Sequence, residues 1–174
     1  HWIYSSSPRK LSMAVILKLH KFVMANINVD PGNFRKEPSA IFNQSGFAVY
    51  LPPPPTQVVN LIKNLIINVN SSKEKGPINA ALSHFTFEKI HPFEDGNGRI
   101  ARALAEKVLS QSVQKPTLIA LSKTIVRHRK AYYQALEKNN KLMEITDWIH
   151  YFCHTVLEAQ QFSVQTIDFL IEKT

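Results

Sequence analysis

A run of twelve residues combines an imidazole, two carboxylates, two guanidinium groups, and two glycines that flank an amide. It reads His91-Pro92-Phe93-Glu94-Asp95-Gly96-Asn97-Gly98-Arg99-Ile100-Ala101-Arg102. The proline and the glycines interrupt two stretches of helical periodicity, so the run is predicted to form a turn that leads into a helix. The first N–H groups of a helix lack intrahelical acceptors and lie at the positive end of its dipole. The run is therefore predicted to bind an anion.

Glycines at positions 96 and 98 would let a phosphate oxygen approach the backbone without meeting a Cβ atom. Asn97 between them tolerates a left-handed conformation better than most residues would. Arg99 and Arg102 lie three apart at the start of the second helix. Two guanidinium groups at this spacing face the same site and suit a polyphosphate.

Asp95 and His91 supply the remaining chemistry. A carboxylate at position 95 suits a magnesium ion that also binds phosphate oxygens, and its alternative role is to cap the second helix. The His91 imidazole, at the end of the first helix, suits abstraction of a proton from an attacking hydroxyl. Together these groups predict nucleotidyl or phosphoryl transfer.

The whole run resembles the signature of the Fic (filamentation induced by cAMP) domain family, H-x-F-x-D/E-G-N-G-R-x-x-R, and matches it at every specified position. Looser similarity extends over about residues 11–160. The stretch Pro31-Gly32-Asn33-Phe34-Arg35 and the segment Gly46–Pro55 resemble the family's β-hairpin flap and the proline run after it. The resemblance implies an all-α Fic-type fold with a small hairpin beside the active-site loop.

The resemblance also implies an activity, the transfer of AMP from ATP to a Ser, Thr or Tyr hydroxyl of a target protein, with release of pyrophosphate. His91 would be the general base and Asp95 would bind Mg²⁺. The phosphates would be held by the backbone at Gly96, Asn97 and Gly98 and by Arg99 and Arg102. The flap, residues Gly46, Phe47, Ala48, Val49 and Tyr50, would dock the target. UMP or GMP transfer stays open, because the choice of base depends on the walls of the base pocket. These walls could include Tyr132 or Tyr133, although either could equally be a packing residue.

Many Fic proteins carry an inhibitory helix, S/T-x-x-x-E-G/N, and no glutamate of this chain matches that pattern. The inhibitory element would then lie outside the chain, come from an antitoxin-like protein in trans, or be replaced by another form of regulation. The chain is expected to be one domain, residues 1–174, with 1–10 as a lead-in, and to belong to a longer product.

Helical periodicity predicts six helices and one hairpin. The helices are predicted at Leu11–Asn28, Thr56–Asn70, Pro77–Ile90, Gly98–Val113, Ser122–Asn139 and Asp147–Lys173, and the strands at Ala40–Phe42 and Phe47–Leu51. Within the helix before His91, a buried stripe is predicted through Ile78, Ala81, Leu82, Phe85 and Ile90.

A net charge of +8 raises an alternative, a basic module that binds nucleotides or nucleic acid without catalysis. Only Lys123, Arg127, Arg129 and Lys130 cluster, and no known nucleic-acid motif accompanies them, so direct nucleic-acid binding is not expected. His150 and His154 are spaced to share a metal but lack a third ligand nearby. The apolar runs are too short to span a membrane, and the single cysteine favours the cytoplasm.

Overall fold

The computed structural model describes residues 10–25, 27, 30–42, 45–74, 76–113, 120–140 and 144–173. These residues form helices with one small antiparallel sheet, in the order α1 (Met13–Val23), β1 (Ile41–Phe42), β2 (Ala48–Tyr50), α2 (Pro55–Ser71), α3 (Pro77–Ile90), α4 (Asn97–Val113), α5 (Leu121–Arg127), α6 (Arg129–Asn140) and α7 (Thr146–Ile171). The predicted all-α body with one hairpin is confirmed. The lead-in before residue 10 and the predicted bound at Asn28 lie outside the described residues.

Local sequence signals fix where three of the helices begin. The Ser12 hydroxyl accepts a hydrogen bond from the Val15 N–H and caps α1. Pro55 and Pro77 are the first residues of α2 and α3, where the fixed φ of proline suits a helix and its missing N–H costs nothing. The last proline of the run therefore lies inside α2, which begins one residue earlier than predicted.

Helix α3 is the centre of the molecule, and the stripe predicted for it covers only part of its buried surface, since Ala81, Phe85 and Ile90 are buried as predicted. Ile78 is 38% exposed, whereas Ala80, His84 and Phe87 are fully buried although they lie outside the stripe. The reason is that α3 packs against α2, α4 and α7 together. A helix surrounded on several sides has no single apolar face.

The segment predicted as one helix, Ser122–Asn139, is two helices that separate at His128. Leu121, Ile125, Tyr132 and Leu136 are buried on both sides of the break. Their spacing continues across His128 as if the helix did, which is why periodicity does not reveal the break. The separation lets α5 and α6 each pack against α7.

The hairpin is small and is attached to the helical body. Ile41 pairs with Tyr50 and Phe42 pairs with Ala48, with an irregular register between the two pairs. The Tyr50 hydroxyl donates a hydrogen bond to the Lys89 carbonyl in the last turn of α3 (3.0 Å). A two-stranded hairpin is marginal alone, so this attachment matters for its position.

No helix within the described ranges is both long enough and apolar enough to cross a membrane.

Trp148 links α7 to α3, and its truncation should destabilise the fold. Its side chain is fully buried, its indole N–H donates to the Ala81 carbonyl (2.9 Å), and its ring contacts His84 and Phe85. We expect Trp148→Ala to lower the free energy of unfolding by about 3–5 kcal/mol because it leaves a large cavity. Urea denaturation followed by circular dichroism measures this. Leu157→Ala, on the same helix but 53% exposed, is the control and should change the free energy by less than about 0.5 kcal/mol.

Candidate active site

His91 terminates α3 in a left-handed conformation (φ 47°, ψ 60°). It is the one residue other than glycine with positive φ in the part of the chain that the structure describes. Its N–H donates to the Phe87 carbonyl (3.0 Å), and its own carbonyl accepts from Arg35 Nε (2.8 Å). The left-handed residue ends the helix and turns the chain into the motif loop, with its half-buried side chain at the edge of the cleft described below.

The motif loop is closed internally by the Asn97 side chain. Asn97 Oδ1 accepts from the Phe93 N–H (2.9 Å), and Asn97 Nδ2 donates to the Phe93 carbonyl (2.8 Å). Asn97 is 3% exposed and is the first residue of α4, so it does not use the left-handed conformation that asparagine tolerates. Its amide satisfies the two backbone groups of Phe93, and Phe93 itself is fully buried and stacks on His20 at 3.8 Å.

The two glycines serve different purposes. Gly96 has a φ of 82°, and a Cβ atom there would lie 2.7 Å from Met24 Sδ. Gly98 has no such positive φ and lies in the first turn of α4, where a Cβ atom would lie 3.4 Å from Glu88 Oε1 and 3.5 Å from Arg102 Nη1. The contacts at Gly98 are of ordinary van der Waals length, whereas Gly96 is crowded and requires the backbone freedom of glycine.

The charged groups at the start of α4 are arranged around the loop. Asp95 Oδ2 forms an ion pair with Arg99 Nη2 (3.1 Å), and Asp95 Oδ1 accepts from the Gly96 N–H. Both charged side chains of the ion pair are about half exposed. Arg102 Nε donates to the Ser122 hydroxyl on α5 (3.2 Å). Because these contacts are exposed, they can be exchanged for contacts to a bound anion at small cost.

One open cleft of about 230 Å³ brings most of the predicted site residues together. It is lined by His91, Glu94, Asp95, Gly96, Asn97, Gly98, Arg99, Arg102 and Tyr133. The two candidate tyrosines are separated: Tyr133 is 53% exposed at the cleft, whereas Tyr132 is 3% exposed. In the flap, Phe47 is 71% exposed, and Gly46 and Ala48 are exposed as well, while Val49 and Tyr50 are half-buried.

Three residues near the cleft were not identified from the sequence: His20, Arg35 and Glu88. His20 Nδ1 accepts from the Gly32 N–H (2.7 Å), so its Nε2–H donates to the Asp95 carbonyl (3.2 Å). Glu88 lies on α3, three residues before His91, and its Oε1 lies 3.4 Å from the Tyr132 hydroxyl. The only sequence signal was for Arg35, which ends the stretch matched to the flap region.

The environment of the cleft shifts two pKa values in opposite directions. Burial, and then the positive charge of Arg35, lower the pKa of His91 to about 4, while the Glu88 carbonyl and the Asp95 carboxylate oppose this shift. Burial raises the pKa of Glu88 to about 7, opposed by Arg102 and the Tyr132 hydroxyl. His91 is therefore neutral at physiological pH and able to accept a proton.

The His91 pKa can be measured directly. We expect the His91 side-chain resonance in NMR to titrate near pH 4 in the folded, nucleotide-free protein, because burial and Arg35 both disfavour the imidazolium. In urea the same resonance should titrate near the ordinary value of about 6.5. A folded-state midpoint at or above the urea value would contradict this.

The Asn97 side chain can be tested by its removal. Asn97→Ala would leave the buried N–H and carbonyl of Phe93 unpaired, so we expect a loss of roughly 2–4 kcal/mol in the free energy of unfolding. Asn33→Ala, which removes an exposed hydrogen bond to Asp30, is the matched control. Equal effects of the two substitutions in thermal or urea denaturation would show that the hydrogen bonds from Asn97 to Phe93 contribute little to stability.

Comparison with known proteins identifies the family. Residues 10–109 match the sequence model of the Fic/DOC family. A curated relative from Aquifex aeolicus (strain VF5), named "Probable protein adenylyltransferase", is 32% identical over 136 residues, 78% of this chain and 39% of the relative. "Protein adenylyltransferase Fic" of Drosophila virilis is 31% identical over 146 residues, 80% of this chain and 28% of the relative. The chain thus spans well under half the length of these relatives.

Solved structures give the same result for the fold. A Fic family protein from Desulfovibrio desulfuricans G20 superposes with a TM-score of 0.80 at 24% identity, over 95% of this chain and 51% of that one. Fic-1 from C. elegans superposes with a TM-score of 0.70 at 25% identity, over 94% and 45% of the two chains. Because the family match extends over more than half of its residues, this chain belongs to the Fic/DOC family.

Proposed function

We propose that this domain is a protein adenylyltransferase, which transfers AMP from ATP to a Ser, Thr or Tyr hydroxyl of a target protein and releases pyrophosphate. The observation that carries the proposal is the cleft itself, where a neutral imidazole and two guanidinium groups surround the start of a helix. The curated relatives from Aquifex aeolicus and Drosophila are named for this activity, which supports the assignment.

The proposed reaction is an attack of the target hydroxyl oxygen on the α-phosphorus of ATP. An O–P bond forms to the target, and the bond from the α-phosphorus to the oxygen that bridges it to the β-phosphate breaks. His91, whose imidazole is neutral at physiological pH because its pKa is lowered to about 4, accepts the hydroxyl proton and later returns it to solvent. Pyrophosphate leaves with the electrons of the broken bond, and its charge is balanced by Arg99 and Arg102.

The residues present also fit a magnesium ion. Asp95 places one partly exposed carboxylate on the cleft, and no group of three metal-binding side chains occurs among the described residues. Mg²⁺ is commonly held by one or two carboxylates together with substrate phosphates, so Asp95 would hold it with the ATP. When bound, the ion would neutralise phosphate charge. Asp95 would then exchange its contact with Arg99 for the ion.

The substrate contacts beyond the phosphates are assigned as follows. Tyr133, exposed at the cleft, would contact the adenine, whereas Tyr132 would act through packing. The exposed face of the hairpin at Gly46, Phe47 and Ala48 would dock an extended segment of the target beside His91. An inhibitory element supplied outside this chain or by another protein would act on the same cleft.

The basic cluster around α5 gives no support to the alternative of a nucleic-acid module. Lys123 and Arg127 lie over the Phe162 ring at 4.3 and 5.1 Å, and Arg127 pairs with Glu158 (3.5 Å). Arg129 lies over the Tyr133 ring (5.7 Å). Three of the four basic residues are therefore engaged within the domain.

The position of the label distinguishes AMP transfer from phosphorylation. The purified domain is incubated with host lysate, Mg²⁺ and ATP labelled at either the α- or the γ-phosphate. We expect a labelled protein band when the ATP carries the α-label and none when it carries the γ-label. The rate of labelling should fall by roughly 10²–10⁴-fold in His91→Ala, because the general base is removed. ATP binding by His91→Ala should persist.

His154→Ala is the histidine control, since His154 is exposed on α7 away from the cleft residues. It should label at the wild-type rate. Transfer of the γ-label would assign a kinase instead, and full labelling by His91→Ala would remove His91 from the mechanism. Competition by unlabelled UTP, GTP or CTP identifies the preferred base.

A further inference from the structure

Arg35 is a buried cation that contacts backbone carbonyls instead of a carboxylate. It is 4% exposed, and none of the ion pairs among the described residues includes it. Its Nε donates to the His91 carbonyl (2.8 Å), and its Nη1 donates to the Glu37 carbonyl (3.1 Å). Its Nη2 donates to the Pro53 carbonyl and lies 3.5 Å from the Ile90 carbonyl. A buried charge needs such compensation.

The position of these carbonyls explains how the charge is tolerated. Ile90 and His91 are at the C-terminal end of α3, where carbonyls lack intrahelical partners and the helix dipole is negative. A guanidinium carries five N–H donors in a planar fork and can serve several carbonyls at once. The ammonium group of lysine has three donors on one nitrogen and cannot reproduce the set.

The same side chain joins the hairpin to His91. Glu37 precedes β1 and Pro53 follows β2, so Arg35 binds both ends of the hairpin. The backbone N–H of Arg35 also donates a hydrogen bond to the carbonyl of Pro92 (2.9 Å), the residue after His91. His91 holds a left-handed conformation that a residue with a Cβ atom rarely adopts, so its backbone needs such restraint.

We propose that Arg35 is a positioning residue that fixes the flap and the His91 backbone as one unit, so that a target hydroxyl docked on the flap meets the His91 imidazole. The inference rests on the proposed function and adds a residue to it. Arg35 does not line the cleft, and it acts through the backbone of His91. In the proposed function ATP is held by Arg99 and Arg102, which line the cleft, so its binding should not depend on Arg35.

The test compares Arg35→Met, Arg35→Lys and the matched control Lys36→Met, which removes one exposed positive charge from the next position. We expect Arg35→Met to lower kcat for AMP transfer by about 10²-fold and to raise the KM for the target, because a small misplacement of reacting groups has effects of this size. The Kd for ATP should change by less than about threefold, within the range of an indirect effect. Arg35→Lys should lie between wild type and Arg35→Met, and Lys36→Met should match wild type.

Hydrogen exchange gives a readout that needs no activity. The peptide containing residues 41–50 should exchange at least about tenfold faster in Arg35→Met, with exchange in α2 unchanged, because loss of the attachment permits local opening of the hairpin. If Arg35→Met does not fold, Arg35→Lys is measured in the same way.

The outcomes separate this inference from the proposed function. Unchanged kcat, KM and hairpin exchange in a folded Arg35 variant would overturn the positioning role, as would a loss of ATP affinity that matches the loss of kcat. If the wild-type domain transfers no AMP, the proposed function fails, and accelerated hairpin exchange would still support the attachment of the flap through Arg35.

Discussion

The site depends on the need to satisfy backbone polar groups in a turn that is packed against the core. Pro92 and Phe93 are buried, so water cannot supply partners for the turn, and an unpaired group there costs about 1–3 kcal/mol. Asn97 pairs with both backbone groups of Phe93, Arg35 pairs with the His91 carbonyl, and His20 pairs with the Asp95 carbonyl. Each partner is a polar side chain that is itself buried. The cleft is thereby given a defined shape before any ligand binds.

The central position of α3 creates a second constraint. Because this helix is surrounded, its polar residues His84 and Glu88 need partners inside the protein. The Tyr132 hydroxyl supplies one, at 2.8 Å from His84 Nε2 and 3.4 Å from Glu88 Oε1. Burial raises the pKa of Glu88 to about 7, so a large part of this carboxyl is protonated at neutral pH and the negative charge near Arg102 is reduced. Packing on one side of α3 thus affects the electrostatics of the phosphate side of the cleft.

Helical periodicity predicted most of the helices and the hairpin to within a few residues. It failed where tertiary context overrides local pattern. The buried positions of α5 and α6 keep one helical spacing across His128, so the break between them has no signature in the pattern of apolar residues. Similarly, α3 has buried residues around its circumference because three helices pack on it, and the single predicted stripe covered only some of them. The predicted helix began at Gly98, and the sequence pattern did not show that Asn97 begins α4 and closes the turn through its side chain.

By itself, the sequence determined which groups meet at the cleft, because His91, Asp95, Arg99 and Arg102 are near one another in the chain. A turn followed by one helical face keeps such neighbours together whatever surrounds them. Only the tertiary structure decided that Tyr133 reaches the cleft while Tyr132 is buried, that the pKa of His91 falls to about 4, and that Arg35 supports the His91 backbone from 56 positions away. Burial and long-range hydrogen bonds depend on which distant segments pack together, and local spacing carries no information about that.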